Sequence, residues 1–169
     1  MIFFPYRNTL QVSDAFSISS VYLEGIIAHH PAVFTAEQAD RYVQGEQFVR
    51  TKNLFLTTSK HNHYYLVLIE EHKRLDTKLF RQQAGTPRLT FASPVELQAK
   101  LGLTPGSVSP FGLLNNHDHD VQLFVDRDVA TAATIGCHPN DNTMTTILAT
   151  SDLLSFLRQA GYPAQVINL

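Results

Sequence analysis

Hydrophobic residues in this chain fall mostly into short runs bounded by polar turns rather than into long helical stripes. Residues 51–58 and 63–70 are two such runs, rich in Leu, Phe, Tyr and Val and free of Gly and Pro. They predict two strands separated by the polar turn Ser59 to Asn62. Val121 to Asp126 predicts a strand with a polar end, followed by a short helix from Asp128. Strands are also predicted near 133–137 and 143–149, flanking His138-Pro139-Asn140-Asp141-Asn142, and at Ala164 to Ile167.

Helices are announced by their caps. Thr35-Ala36-Glu37-Gln38 is a capping-box pattern, with Gly45 where such a helix stops. Asp76 caps a helix running to about Ala84, before Gly85. Ser93-Pro94-Val95-Glu96 combines a Ser cap, Pro at the first helical position and Glu three residues on, and predicts a helix to Leu101, before Gly102. A last helix runs from Ser151 or Asp152 to Ala160, before Gly161. Residues 1 to 28 are the least legible: Ser17, Ser19 and Ser20 interrupt any helical pattern, and Val21 to Ala28 reads as a strand. Hairpin-like neighbours outnumber βαβ units. The prediction is therefore an α/β fold of α+β type, one domain over residues 1–169, with a mixed, largely antiparallel sheet flanked by helices.

Composition narrows the class. With 44% hydrophobic and 17% charged residues, the 169-residue chain is of globular type and long enough to bury a real core. No apolar run approaches the roughly 20 residues of a spanning helix, and Met1 to Arg7 lacks the pattern of a signal peptide. One cysteine, Cys137, excludes an internal disulfide and a multi-cysteine zinc site. The expectation is a soluble, cytoplasmic protein with no membrane or DNA partner. Net charge is −2, but residues 50–88 hold eight basic and three acidic residues, a local +5 against −7 elsewhere. Such a segment is either a solvated helix face or a surface for a short phosphate backbone.

Three pieces carry candidate chemistry. Lys52 sits inside what otherwise reads as a buried β-strand, where a lysine is rare without a partner or a task and can orient a carbonyl or a phosphate. Its neighbour Asn53 points to the opposite face of a strand, so one of the two acts through backbone or a bend. The loop Pro105 to Gly112 carries Gly106-x-x-x-Pro110, whose exposed N–H groups can form an oxyanion hole and whose small residues, Gly106 and Ser107, can shape a tight pocket. His138 stands at a strand end, placed to face a cleft. Adjacent Cys137 cannot pair with it as a nucleophile, because neighbours in a strand diverge. A metal alternative rests on His61-x-His63 and on His117-x-His119 within Asn116 to Asp120, but neither matches a zinc-site spacing.

Together these segments resemble a known family. Lys52-Asn53-Leu54-Phe55-Leu56, Gly106-Ser107-Val108-Ser109-Pro110-Phe111-Gly112-Leu113, His138-Pro139-Asn140 and Asn142-Thr143 occur in the order found in the free-standing prolyl-tRNA editing proteins. These belong to the YbaK/ProRS editing-domain superfamily, in its PrdX or ProXp-ala branch. His30-Pro31-Ala32-Val33-Phe34-Thr35 matches an earlier segment, and the similarity spans residues 29 to 169. Residues 1 to 28 depart from the family's leading helix and strand, and Asn116 to Asp120 is richer in histidine.

The resemblance implies a trans-acting deacylase that hydrolyses alanine from mischarged tRNA(Pro), without cofactor or metal, by direct attack of water. It implies catalytic roles for Lys52, Asn53 and His138, and substrate contacts at Gly106, Ser107, Val108, Pro110 and Gly136. Its partners would be the acceptor end of tRNA(Pro) carrying a small amino acid, and prolyl-tRNA synthetase. Two other readings stay open: a deacylase for another small mischarged residue, cysteine or serine, and a non-catalytic module that binds tRNA or a synthetase.

Overall fold

Alternation within the two longest apolar runs builds the centre of the molecule. The computed structural model describes residues 6–12, 21–33, 38, 41–141 and 143–169. Thr51–Thr58 forms strand β3 and Tyr64–Glu70 forms β4, paired antiparallel. β4 is buried from Tyr64 to Ile69 because both of its faces are covered, which explains its unbroken apolar sequence. Tyr64, Leu66 and Leu68 enter one core, and Tyr65, Val67 and Ile69 enter another.

β4 lies at the middle of a five-stranded sheet, ordered β5-β3-β4-β6-β9. Here β5 is Leu89–Phe91, β6 is Val121–Asp126 and β9 is Gln165–Ile167. The β4–β6 and β6–β9 pairs are parallel and the others antiparallel. A second, four-stranded antiparallel sheet runs β1-β2-β8-β7. It consists of β1 (Tyr6–Val12), β2 (Val21–His29), β7 (Thr134–Cys137) and β8 (Met144–Ala149). Just before β3, Val49 bridges to Ile135 and joins the two sheets: its N–H donates to Thr134 and its carbonyl accepts from Gly136.

The main core lies between the sheets and collects Phe55, Leu66, Leu123, Ile135 and Leu148. Helix α2 (Pro94–Leu101), a 3-10 turn (Pro110–Asn115), the short α3 (Arg127–Thr131) and α4 (Thr150–Gln159) close it with Leu97, Phe111, Val129 and Leu153. On the outer face of the five-stranded sheet, helix α1 (Thr77–Ala84) buries Phe80 against Tyr65 and Phe124.

The caps act where the sequence placed them. Asp76 accepts from the N–H groups of Lys78 and Leu79, and Ser93 and Glu96 form a reciprocal capping box, worth about 1 kcal/mol. Gly85 and Gly102 end these helices in the left-handed conformation at φ +63° and +66°. β1 and β5 add to the predicted elements. Of the helix announced by Thr35 to Gln38, only Gln38 lies among the described residues before 41; Thr35, Ala36 and Glu37 lie outside them. Among the described residues, no helix is long and apolar enough to cross a membrane.

Candidate active site

Strand parity decides which side chains of β3 can share a site. Asn53 pairs with Leu68 and lies on the side of the main core, whereas Lys52 pairs with Ile69 and lies on the side of α1. Asn53 Nδ2 donates to the carbonyl of Val108 at 2.8 Å, while its Oδ1 accepts from the Thr51 hydroxyl at 2.9 Å. Lys52 turns away, and its Nζ donates to the backbone carbonyl of Lys73 at 3.2 Å. The expectation of a buried lysine is corrected: Lys52 is exposed, since β3 becomes buried only from Phe55 onward, where β5 and the cores cover it.

The loop that Asn53 holds is shaped by its own residues. Ser107 N–H donates to Thr104 across a turn with Pro105 and Gly106 at its centre, and Gly106 takes φ +86°, which a side chain would strain. Buried Ser109 Oγ donates to the carbonyl of His138 at 2.6 Å and accepts from the N–H of Phe111, capping the 3-10 turn that buried Pro110 begins. Asn140, at φ +60°, donates Nδ2 to the carbonyl of Phe111 at 3.0 Å. Three side chains thus lash three segments together through backbone carbonyls. Among the described residues, the N–H groups of Gly106 and Val108 take part in no such bond.

His138 sits within this junction, largely buried. Neither ring nitrogen has a hydrogen-bond partner of acceptable geometry among the described residues. Burial lowers its pKa, opposed by Asp141 and by the Ser107 and Val108 carbonyls near the ring, so the imidazole is neutral at pH 7. The Thr143 hydroxyl and N–H, at 2.6 and 2.9 Å, hold Asp141 ionised by lowering its pKa. Cys137, next in sequence, faces the other way: burial pushes its thiol up to about 11 and its Sγ contacts the Thr146 hydroxyl. It offers no thiolate at neutral pH.

Of the anticipated site residues, the fold brings together Asn53, Gly106, Ser107, Val108, Pro110 and His138. It leaves the Lys52 ammonium on the other face of the sheet. Gly136 is placed by packing, because a Cβ there would lie 2.4 Å from the Phe48 ring. Ser109 and Asn140 stand inside the quoted motifs, yet their clamping role was not anticipated. A serine directly before a proline that opens a helical turn is the available signal for the first.

The histidine-rich segments serve other contacts. His61 Nδ1 lies 2.7 Å from Glu96. Asp118 and Asp120 bind Lys100 at 2.8 and 2.5 Å, and His119 stacks on Tyr162. No group of three metal-ligating side chains occurs among the described residues. His30, earlier in the chain, is a structural histidine that bonds the Pro31 carbonyl and the Thr145 hydroxyl.

Comparison with known proteins gives the family of the chain. The family model described as aminoacyl-tRNA editing domain matches residues 30–156. The prolyl-tRNA editing protein ProX of Acetoanaerobium sticklandii is 34% identical over 145 residues, covering 85% of this chain and 87% of that protein. A zebrafish (Danio rerio) prolyl-tRNA synthetase associated domain-containing protein 1 is 30% identical, covering 86% and 80%. A crystal structure described as a candidate trans-editing enzyme for prolyl-tRNA synthetase superposes with a TM-score of 0.66 at 25% identity, covering 86% of this chain and 85% of that one. The chain belongs to the aminoacyl-tRNA editing domain family, deacylases that hydrolyse aminoacyl-tRNA esters.

Proposed function

We propose that this protein is a trans-acting editing deacylase that removes alanine mischarged onto tRNA(Pro). The observation that carries the reading is the junction of Asn53, the Gly106–Pro110 loop and His138, in which small residues and an unpaired, neutral imidazole meet. The backbone at Gly106 and Ser107 can approach an aminoacyl group closely, and a pocket closed in this way suits a small group and rejects a larger one sterically. The 34% identity to a prolyl-tRNA editing protein supports tRNA(Pro) as the carrier, with prolyl-tRNA synthetase as the source of the error.

Among the described residues the junction holds no thiolate and no hydroxyl hydrogen-bonded to the imidazole as a base, so water attacks the ester carbonyl. The bond from acyl carbon to ribose oxygen breaks, the ribose oxygen keeps its electron pair and takes a proton, and alanine leaves as the acid. A neighbouring ribose hydroxyl positions the water. The N–H groups of Gly106 and Val108 stabilise the developing oxyanion, and His138 orients the aminoacyl end by hydrogen bonding. Exposed Lys52 contributes as a phosphate contact at the rim, and Asn53 keeps the loop in place. Incubation with alanyl-, seryl-, cysteinyl- and prolyl-tRNA(Pro) tests the reading. Selective loss of the alanyl ester supports it, preference for another small residue revises the substrate, and tRNA binding without turnover overturns it.

A further inference from the structure

We propose that the exposed basic stripe over α1, running from Lys52 and Arg74 to Lys78 and Arg81, carries the phosphate backbone of the acceptor arm of tRNA. This rests on the deacylase reading above and assigns it a surface.

The stripe is built by the sheet's second face. α1 turns Phe80 inward, which leaves Lys78 and Arg81, three residues apart on one side of the helix, in solvent. Lys52 projects from β3 on this same face, and its bond to the Lys73 carbonyl brings it beside Arg74 in the connection leading to α1.

These four cations make no ion pair among the described residues, while the acids nearby are mostly committed. Asp76 accepts from Lys78 and Leu79 N–H, and Glu70 accepts from His72 N–H. Asp126 and Asp128 both bind Lys73. Glu71, half-buried, is the remaining acid of the segment. Residues 50–88 carry a formal +5 against −7 for the rest of the chain, so a polyanion is drawn to this segment rather than to the remainder.

The stripe also leads to the junction. β5 pairs with β3 only over residues 56–58, with one further bond from Ala92 to Phe55, so the edge of β3 at residues 51–54 is free of β5. A single-stranded end leaving Lys52 can turn over that edge and meet Asn53 on the other face, beside the Val108 carbonyl. Adjacent residues of opposite parity thereby link a phosphate track to the chemistry.

The test uses the full chain and an uncharged tRNA(Pro) acceptor minihelix, with binding measured against salt. Lys78→Ala combined with Arg81→Ala should weaken binding about tenfold at 0.1 M salt and reduce the log–log salt slope by about 2. The charge-keeping pair Lys78→Arg and Arg81→Lys should retain both values, and thermal melting verifies the fold. On the charged minihelix the Ala pair should raise KM with kcat unchanged, and hydrolysis of a short aminoacyl-CCA ester should be unaltered. Unchanged affinity and slope overturn the proposal, as does loss of synthetase binding with RNA affinity intact. Because the RNA in the binding arm is uncharged, a wild-type chain that hydrolyses nothing would sink the deacylase reading, while salt-dependent loss in the Ala pair would still uphold the stripe.

Discussion

Asn53 Nδ2 donates to the carbonyl of Val108 at 2.8 Å, a single bond across 55 positions of sequence that seats the Gly106–Pro110 loop on β3. Replacing it with Ala leaves a partly buried carbonyl without its donor, at a cost of about 1–3 kcal/mol. We expect Asn53→Ala to melt several degrees lower and to lose one to two orders of magnitude in kcat. Asn53→Asp sets a carboxylate against the carbonyl and should be worse in both respects. Melting curves and single-turnover rates check this, and a fully active Asn53→Asp would remove the role assigned here.

His138 is held neutral by burial, so its contribution to stability has a definite sign. A histidine whose folded pKa lies below its unfolded value near 6.5 stabilises fully above that value and is lost as pH falls through the folded pKa. Activity that depends on the neutral ring should therefore be flat from pH 7 upward and fall on the acid side of 6.5. His138→Ala should remove the histidine's share of both effects, and an unchanged activity profile would contradict it.

Glu96 supplies a second pH dependence, remote from the junction. Burial pushes its carboxyl up, but hydrogen bonds from Ser93, His61 and Tyr64 outweigh it and bring the pKa down to about 2 from an ordinary 4.5. The associated stability, about 3 kcal/mol, is present above pH 4.5 and fades as pH drops toward 2. Glu96→Gln should melt lower at pH 7 and converge with the wild type at pH 2, with catalysis at neutral pH little changed.

Cys137 should be chemically silent. Its buried thiol, with a pKa near 11, predicts negligible alkylation by iodoacetamide in the folded protein and full alkylation in denaturant. Cys137→Ala should keep most of the activity. Inactivation by stoichiometric thiol modification under native conditions would argue for a nucleophile that the geometry does not support.

Legibility in the sequence followed the strength of local signals. β3, β4, β6 and the capped helices α1 and α2 stand where apolar runs, Asp76 and Ser93 put them, because caps and apolar runs are local. β5 has three residues and leaves Phe91 66% exposed, so neither length nor burial marks it. Lys52 was misjudged for a related reason: the run Thr51 to Leu56 reads as uniformly buried, yet burial depends on which neighbours cover each end of a strand. The opposed directions of Lys52 and Asn53 were readable from strand parity alone. The clamping by Ser109 and Asn140 was not, since it depends on carbonyls brought close by the two sheets.

The most direct measurement is the single-turnover hydrolysis of alanyl-tRNA(Pro) and prolyl-tRNA(Pro) by the wild type and by His138→Ala. The wild type should hydrolyse the alanyl ester at least tenfold faster than the prolyl ester, and the variant should lose most of this rate while still binding tRNA. Equal rates on the two esters, or an undiminished rate in the folded variant, would contradict it.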